Sequence, residues 1–357
     1  MNRKRVALIG LGAVAERIHL PALRRLPELE LVAVCEINPD RSEKMRAQFK
    51  IPRVYDDARA MLEKERPDLV IVGTPPALHA EHCLLAIEFG AHVFCEKPFV
   101  ERVEQGQPVI DAAQKNQRRI AVNNQYRYVS IYRETARRIA AGEFGKLYSV
   151  QAWQQVFYPP TMEKNWRASM TEYTLFEFGT HILDLLVYYF DALPVSISAL
   201  MPRVRADIHA DVLDLIQLRF PGERVATINL NRLSHAPDRY LEMRLDCDQA
   251  SVRISFGAVA YARLSLSRKR KLPTFDAVLA RGGEARVERN GRSQRIATEW
   301  REVFAPATAQ HLAEFVQDIA ADRETKNSAS HALNLLRIVR AGYDSARTGQ
   351  TIALNWE

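Results

Sequence analysis

Lys97 closes an apolar run, Val93-Phe94-Cys95, with only Glu96 between, and Pro98 follows it at once. An ammonium set where a buried strand stops is either a strand end reaching water or a group aimed at a ligand. Further along, Glu177, His181 and Asp184 stand four and three residues apart inside LFEFGTHILDLLVYYF. At about 100° per residue, a helix brings them within a roughly 60° arc of one face. Polar side chains in so apolar a segment are either exposed positions on a capped helix or a working face. An imidazole suits proton transfer near neutral pH. An ammonium suits an oxygen on which charge develops. The residue types therefore point to acid–base chemistry.

Those residues need elements to hold them. The first third of the chain alternates apolar runs, at Val6–Ile9, Leu31–Cys35, Leu69–Val72, His92–Cys95 and Ile120–Val122, with amphipathic stretches at Arg41–Phe49, Ala58–Glu65 and Ala77–Phe89. Uniformly apolar strands separated by helices predict a doubly wound parallel sheet covered on both faces. Beyond residue 124 the pattern changes. Helices are expected at Val129–Ala141, stopping at Gly142, and at Thr174–Tyr189. Alternating runs such as GKLYSVQAWQQVF, VSISALMPRVRA, DLIQLRF, RVATINLNRL, YLEMRLDC and ASVRISF predict an open, largely antiparallel sheet with one face on helices. Helices around Ala309–Ala321 and Ala329–Thr348 and a short strand, Thr351–Leu354, close the chain. The reading is two domains, 1–124 and 125–357, the second α+β, with the final helices able to pack back on the first; 357 residues fit two domains at roughly 150 each.

Composition narrows the function classes. The formal charge of +7 is modest for this length. The basic clusters Arg3-Lys4-Arg5 and Arg268-Lys269-Arg270-Lys271 lack interleaved aromatics, so they read as solvated surface and not as a nucleic-acid face. Cys35, Cys83, Cys95 and Cys247 include no C-x-x-C pair. No metal site is expected, and a reducing cytoplasm fits. The opening MNRKRVALIGLGAVAE mimics a secretory leader, with a basic head and Ala13-Val14-Ala15, yet the downstream pattern needs it as a first strand. No run is long and apolar enough for a membrane span.

The first strand runs into Gly10-Leu11-Gly12-Ala13-Val14-Ala15, which is G-x-G-x-x-A opening a helix. Gly10 allows the tight turn, Gly12 allows backbone to approach a pyrophosphate, and Ala15 keeps helix and strand close. Amides of the helix start, at Ala13 and Val14, suit phosphate. The second strand ends in Glu36, where a carboxylate accepts ribose hydroxyls and repels a 2′-phosphate. The expected cofactor is NAD, with NADP possible because Arg41 and Lys44 lie nearby. The loop after the fourth strand, Gly73-Thr74-Pro75-Pro76-Ala77-Leu78-His79, shares that sheet edge, with Thr74 and Pro75 as cofactor candidates. His79 reads equally as a cofactor contact or a surface residue at a helix start.

With its GLGAVA, TPPALH, EKP and FGTHILDLL segments and its closing HALNLLRIVRAGYDSARTGQTIAL, the chain resembles the glucose–fructose oxidoreductase / inositol dehydrogenase / MocA family. The resemblance covers nearly the whole chain. It implies an N-terminal Rossmann domain, a C-terminal open-sheet domain, and NAD(P)-dependent hydride transfer at a carbinol or ketone of a sugar, cyclitol or derivative. It places Glu96 and Lys97 at the cofactor, with a cis Lys97–Pro98 bond expected. Lys97 would hydrogen-bond the substrate oxygen, His181 would be the general acid/base, and Glu177 would orient substrate or tune Lys97. Asp184 would hold the imidazole or serve structure. Trp166-Arg167 resembles the family's W-R pair near the cofactor, the alternative being a core Trp beside a surface Arg. Asn124, Gln125 and Arg127 follow the sixth strand and can reach the site; Tyr158 is a weaker candidate. Most members have aspartate where Glu177 stands, and a glycine-rich stretch in place of Thr171-Glu172-Tyr173-Thr174, so Tyr173 and Glu172 would narrow the substrate space. Two rival functions share the scaffold: glycoside cleavage by transient oxidation and elimination, and a non-catalytic dinucleotide sensor. The resemblance also implies a homodimer or homotetramer through the C-terminal sheet.

Overall fold

A computed structural model describes residues 3–163, 165–235, 240–264, 275–300 and 302–356, and their side chains except at 258–264 and 275–281. The chain divides into two compact units, one formed by residues 1–128 and 304–340 and the other by 129–303 and 341–357.

The first unit carries strands β1 (Lys4–Ile9), β2 (Leu29–Cys35), β3 (Val54–Tyr55), β4 (Leu69–Val72), β5 (His92–Cys95) and β6 (Ile120–Val122). Between them lie α1 (Leu20–Leu23), α2 (Pro39–Phe49), α3 (Ala58–Glu65), α4 (His79–Glu88) and α5 (Val103–Lys115). The sheet order is β3-β2-β1-β4-β5-β6, with every pair parallel. All four residues of β4 are buried, as a strand covered on both faces requires. The two-residue β3 falls in a polar stretch whose sequence carries no strand signal. Asn38 and Asp57 cap α2 and α3 by accepting from the amides of Arg41 and Ala60.

The second unit begins with α6 (Ser130–Ala140) and β7 (Leu147–Gln155), then α7 (Thr180–Phe190). Strands β8 (Ser196–Leu200), β9 (Leu213–Phe220), β10 (Arg224–Asn231), β11 (Leu241–Cys247), β12 (Ser251–Leu264), β13 (Phe275–Arg289) and β14 (Arg292–Trp300) follow. The chain returns to the first unit with α8 (Phe304–Ala320) and enters α9 (Ala329–Thr348), whose last turns and β15 (Ile352–Ala353) belong to the second. The second sheet has nine strands, ordered β14-β13-β12-β11-β7-β10-β9-β8-β15. Among the described residues, β7 and β10 pair in parallel and the other pairs are antiparallel. The alternating burial of β9 reflects one face on helices and one face open.

Three expectations need correction. The polar β13 and β14 were not legible, and β8 is much shorter than the run VSISALMPRVRA suggested. The helix around Glu177 is not uniform, because Leu175–Gly179 form a π-helical turn before α7. The arc reckoned at 100° per residue therefore does not apply across it. Third, α8 starts at Phe304, earlier than expected. Its Ala309, Leu312 and Phe315 join the core of the first unit with Leu8, Ile71 and Phe94. The basic cluster Arg268–Lys271 lies outside the described residues.

Candidate active site

At the carboxyl end of β1, Gly10 has φ +90°, and a Cβ there would stand 2.9 Å from the Gly73 carbonyl. Glycine is thus required by both conformation and a close approach of two loops. A Cβ on Gly12 would meet nothing nearer than 4.0 Å, so space remains above its backbone. Ala15 is buried, while Ala13 is exposed and Val14 half-buried. At the end of β2, Glu36 Oε2 accepts the Leu11 amide at 2.8 Å and Oε1 accepts the Asn38 amide at 3.0 Å. Each oxygen keeps a lone pair for a diol.

The β4 loop is braced from behind. His79 is fully buried, with Nε2 2.7 Å from the Thr74 carbonyl oxygen and Nδ1 2.8 Å from that of Pro98. Its reading as a surface residue is corrected: burial pushes its pKa down, against the pull of those two carbonyls. Thr74 Oγ1 lies 3.1 Å from His82 Nδ1, and Pro75 is half-buried.

At the end of β5, Lys97 is half-buried, and the Lys97–Pro98 bond is cis. Its neighbour Glu96 is buried and heavily partnered. Oε1 accepts Asn123 Nδ2 at 2.7 Å and lies 2.9 Å from His19 Nε2, and Oε2 accepts the Lys97 amide at 3.2 Å. Burial pushes the Glu96 pKa up, but His19, Asn123 and the Lys97 charge hold it down to about 2. The chain of buried polar groups continues, with Asn123 Oδ1 3.4 Å from His311 Nδ1 and His311 Nε2 3.3 Å from Asn327 Nδ2. Glu96 is therefore anchored to α8, and the backbone at Lys97 is fixed through it. The sequence signalled Glu96 by its motif, but nothing in it signalled His19, Asn123 or His311 as its supports.

Beyond β6, Asn124 is 1% exposed, yet neither its Oδ1 nor its Nδ2 has a partner among the described residues. Gln125 is similar, with Oε1 unpartnered. A buried amide with free hydrogen-bonding capacity at the carboxyl edge of a doubly wound sheet suits a carboxamide or hydroxyl ligand. Arg127 instead reaches His331, with Nη2 at 2.8 Å from Nε2. One sheet edge thus gathers the glycine loop, Glu36, Thr74, Lys97 and Asn124, and these residues fit NAD.

In the second unit, Glu177, His181 and Asp184 are 4%, 6% and 0% exposed, which removes the reading of exposed positions on a capped helix. Asp211 caps this helix. Its Oδ2 accepts the amides of Thr174 at 2.9 Å and Leu175 at 3.0 Å, and Tyr343 Oη donates to the same oxygen at 3.2 Å. Glu177 Oε2 accepts Arg167 Nε at 2.9 Å, and the same guanidinium lies 4.3 Å from the centre of the Trp166 ring. Arg167 is thus a partner of Glu177, with its side chain 28% exposed. Tyr173 is fully buried and donates its hydroxyl to Glu163. It packs with Tyr158 and Phe178 around buried Arg232, whose Cζ lies 4.5, 5.0 and 4.1 Å from the three ring centres. Arg232 also donates from Nε to the Tyr158 carbonyl at 2.8 Å. The sequence marked the two tyrosines but not the arginine, which directly follows the ordinary alternating strand β10.

Two family models match the chain. Residues 4–124 match "Oxidoreductase family, NAD-binding Rossmann fold", and residues 132–253 match "GFO/IDH/MocA C-terminal domain". The chain belongs to the GFO/IDH/MocA oxidoreductase family. Its first unit carries the family's NAD-binding Rossmann fold.

Among relatives, D-glucoside 3-dehydrogenase of Escherichia coli (strain K12) is 31% identical over 186 residues, 52% of this chain and 53% of the relative. The chain thus spans about half the length of that protein. D-apiose dehydrogenase of Paraburkholderia graminis (strain ATCC 700544 / DSM 17151 / LMG 18924 / NCIMB 13744 / C4D1M) is 25% identical and aligns over 99% of this chain and 90% of its own. A solved oxidoreductase from Agrobacterium radiobacter, in complex with NAD+, L-tartaric acid and magnesium, superposes with a TM-score of 0.84. It is 17% identical and covers 99% of this chain and 98% of its own, which speaks for the shared fold. Among the described residues, no group of three His, Cys, Asp or Glu could hold a metal ion, and no helix is long and apolar enough to cross a membrane.

Proposed function

We propose that this chain is an NAD-dependent dehydrogenase or reductase acting on a carbinol or ketone of a sugar, cyclitol or sugar derivative. The observation that carries the reading is the arrangement at one sheet edge. There the glycine loop, the Glu36 carboxylate, the unpartnered Asn124 amide and Lys97, whose backbone a buried carboxylate fixes, stand together. Membership of the family and the names of its sugar dehydrogenases support the substrate class.

In this reading Glu36 accepts the ribose hydroxyls of the adenosine half, and backbone at Gly12, Ala13 and Val14 receives the pyrophosphate. Thr74, Pro75 and Glu96 line or support the cofactor, and Asn124 and Gln125 bond cofactor or substrate. His79 acts from behind, bracing the loops of Thr74 and Pro98. The bound nicotinamide supplies the hydride acceptor. Lys97 donates a hydrogen bond to the substrate oxygen and stabilises charge on it. His181 takes the hydroxyl proton or returns it in the reverse direction. Glu177 orients the substrate while Arg167 holds its second oxygen, and Asp184 serves the imidazole or the helix. Trp166, Arg127, Tyr158 and Tyr173 shape the surroundings. The enzyme is cytoplasmic and forms a homodimer or homotetramer through its second sheet, which sedimentation velocity tests.

A panel of sugars, cyclitols and nucleotide sugars, read by cofactor absorbance, tests the activity. Lys97→Ala is expected to leave NADH affinity nearly intact while kcat falls at least about a hundredfold. Unchanged turnover would remove Lys97 from the chemistry.

A further inference from the structure

We propose that Glu16 is a cofactor-specificity residue, which occupies Arg41 and Lys44 and so keeps both cations from the 2′-phosphate of NADP. The inference rests on the dinucleotide reading above and adds a second determinant to Glu36.

Arg41 stands in the first turn of α2, five residues beyond Glu36, and Lys44 follows three residues later. Arg41 Nη2 lies 3.3 Å from Glu16 Oε2, and Lys44 Nζ lies 3.4 Å from Glu16 Oε1. One carboxylate thus holds two cations, one on each oxygen. Arg41 also donates from Nε to the Leu11 carbonyl, while the Leu11 amide donates to Glu36. The middle residue of the glycine turn is therefore clamped on one side by the ribose-site carboxylate and on the other by the guanidinium that Glu16 holds. The guanidinium and the Glu36 carboxylate thus bond the two sides of one residue, Leu11.

Charge counting gives the consequence. Glu16 and Glu36 contribute two negative charges, and Arg41 and Lys44 two positive ones, so the cluster is formally neutral. A 2′-phosphate carries about −1.5 to −2 charges at neutral pH. It meets a neutral cluster whose nearest member repels it. Without Glu16 the cluster is positive, and both cations lose a partner together. Arginine is then the side chain best shaped to take a phosphate, by two parallel hydrogen bonds. The side chains of Arg41, Lys44 and Glu16 are 30%, 62% and 24% exposed, so each pair is individually weak, and a doubly charged ligand can recruit the released cations. NAD presents only hydroxyls at this point and has nothing to gain from them.

Calorimetric titration of the full chain with NADH and with NADPH, without substrate, tests this. Glu16→Gln keeps side-chain length and removes the charge. NADPH affinity is expected to rise about fivefold to tenfold, more at low than at high ionic strength, with NADH affinity within about twofold of wild type. Adding Arg41→Ala and Lys44→Ala to Glu16→Gln should abolish the gain. Glu16→Gln with unchanged NADPH affinity and normal NADH binding overturns the proposal, as does a gain that survives loss of both cations. Wild-type protein that binds neither dinucleotide would instead overturn the underlying cofactor reading.

Discussion

Asn124 carries a cost that a purely structural residue would not. A buried amide with both polar atoms unpaired costs about 1–3 kcal/mol relative to a satisfied or apolar group. Its retention makes sense when a ligand completes the hydrogen bonds. Asn124→Leu, similar in shape, is therefore expected to leave the free protein as stable as wild type or up to about 1 kcal/mol more stable, while NADH affinity falls about tenfold. Thermal melts with and without NADH separate the two effects. A stability loss above about 2 kcal/mol with NADH binding intact would show that the amide serves folding. Glu96 is the opposite case, since every oxygen has a partner, and its low pKa reflects groups that hold its charge.

The helix bearing Glu177 and His181 depends on a residue far from it in sequence. Asp211 takes the amides of Tyr173, Thr174 and Leu175, and Tyr343 from α9 bonds both Asp211 and the Phe176 amide. Asp214, three residues on, is fully buried, with its carboxyl beside that of Asp211. Burial pushes its pKa well up, and the Asp211 charge adds to the shift. The sign follows. A carboxyl whose pKa is raised on folding is bound more tightly to its proton in the folded state. Its favourable contribution is complete below the unfolded carboxyl range near pH 4 and is lost as pH rises toward its folded value. Asp214→Asn, which carries no titrating charge, should therefore stabilise the protein near pH 8 by about 1–3 kcal/mol, the scale of one to two pKa units of linkage. It should also flatten the loss of stability between pH 4 and neutrality. Urea melts across that range measure both; a variant less stable than wild type at pH 8 would mean that Asp214 is held ionised by other groups.

At the scale of the molecule, the dinucleotide fold is not self-contained in its first 124 residues. Leu312 and Phe315 of α8 are fully buried, Phe94 lies 6.1 Å from Phe315 and 4.8 Å from His311, and Tyr128 stacks on His311 at 4.5 Å. Ser328 also forms a β-bridge to Ala121 within β6. Residues 1–128 alone would expose this apolar surface and break the network around Asn123. We expect the fragment 1–128 to be insoluble or to bind NADH at least about tenfold more weakly than the full chain. Joining residues 304–340 to it by a flexible linker should restore soluble binding. A folded, fully binding 1–128 fragment would show that α8 is an accessory.

The architecture of the first sheet was legible because its signals are local. The apolar runs of β1, β4, β5 and β6, the glycine spacing and Glu36 at the end of β2 each depend on a few neighbouring residues. The stripe Glu177-His181-Asp184 was legible for the same reason, although the π turn within it left no readable mark. What the sequence could not decide was which distant groups meet. The pairing of Glu96 with His19 and Asn123, the capping of one helix by Asp211, the packing of tyrosines around Arg232 and the capture of two cations by Glu16 all join residues separated by long loops. Chain periodicity determines which face of an element is apolar. Only the closing of those loops determines which buried charge finds which partner, because desolvation penalises every arrangement in which a buried charge finds none.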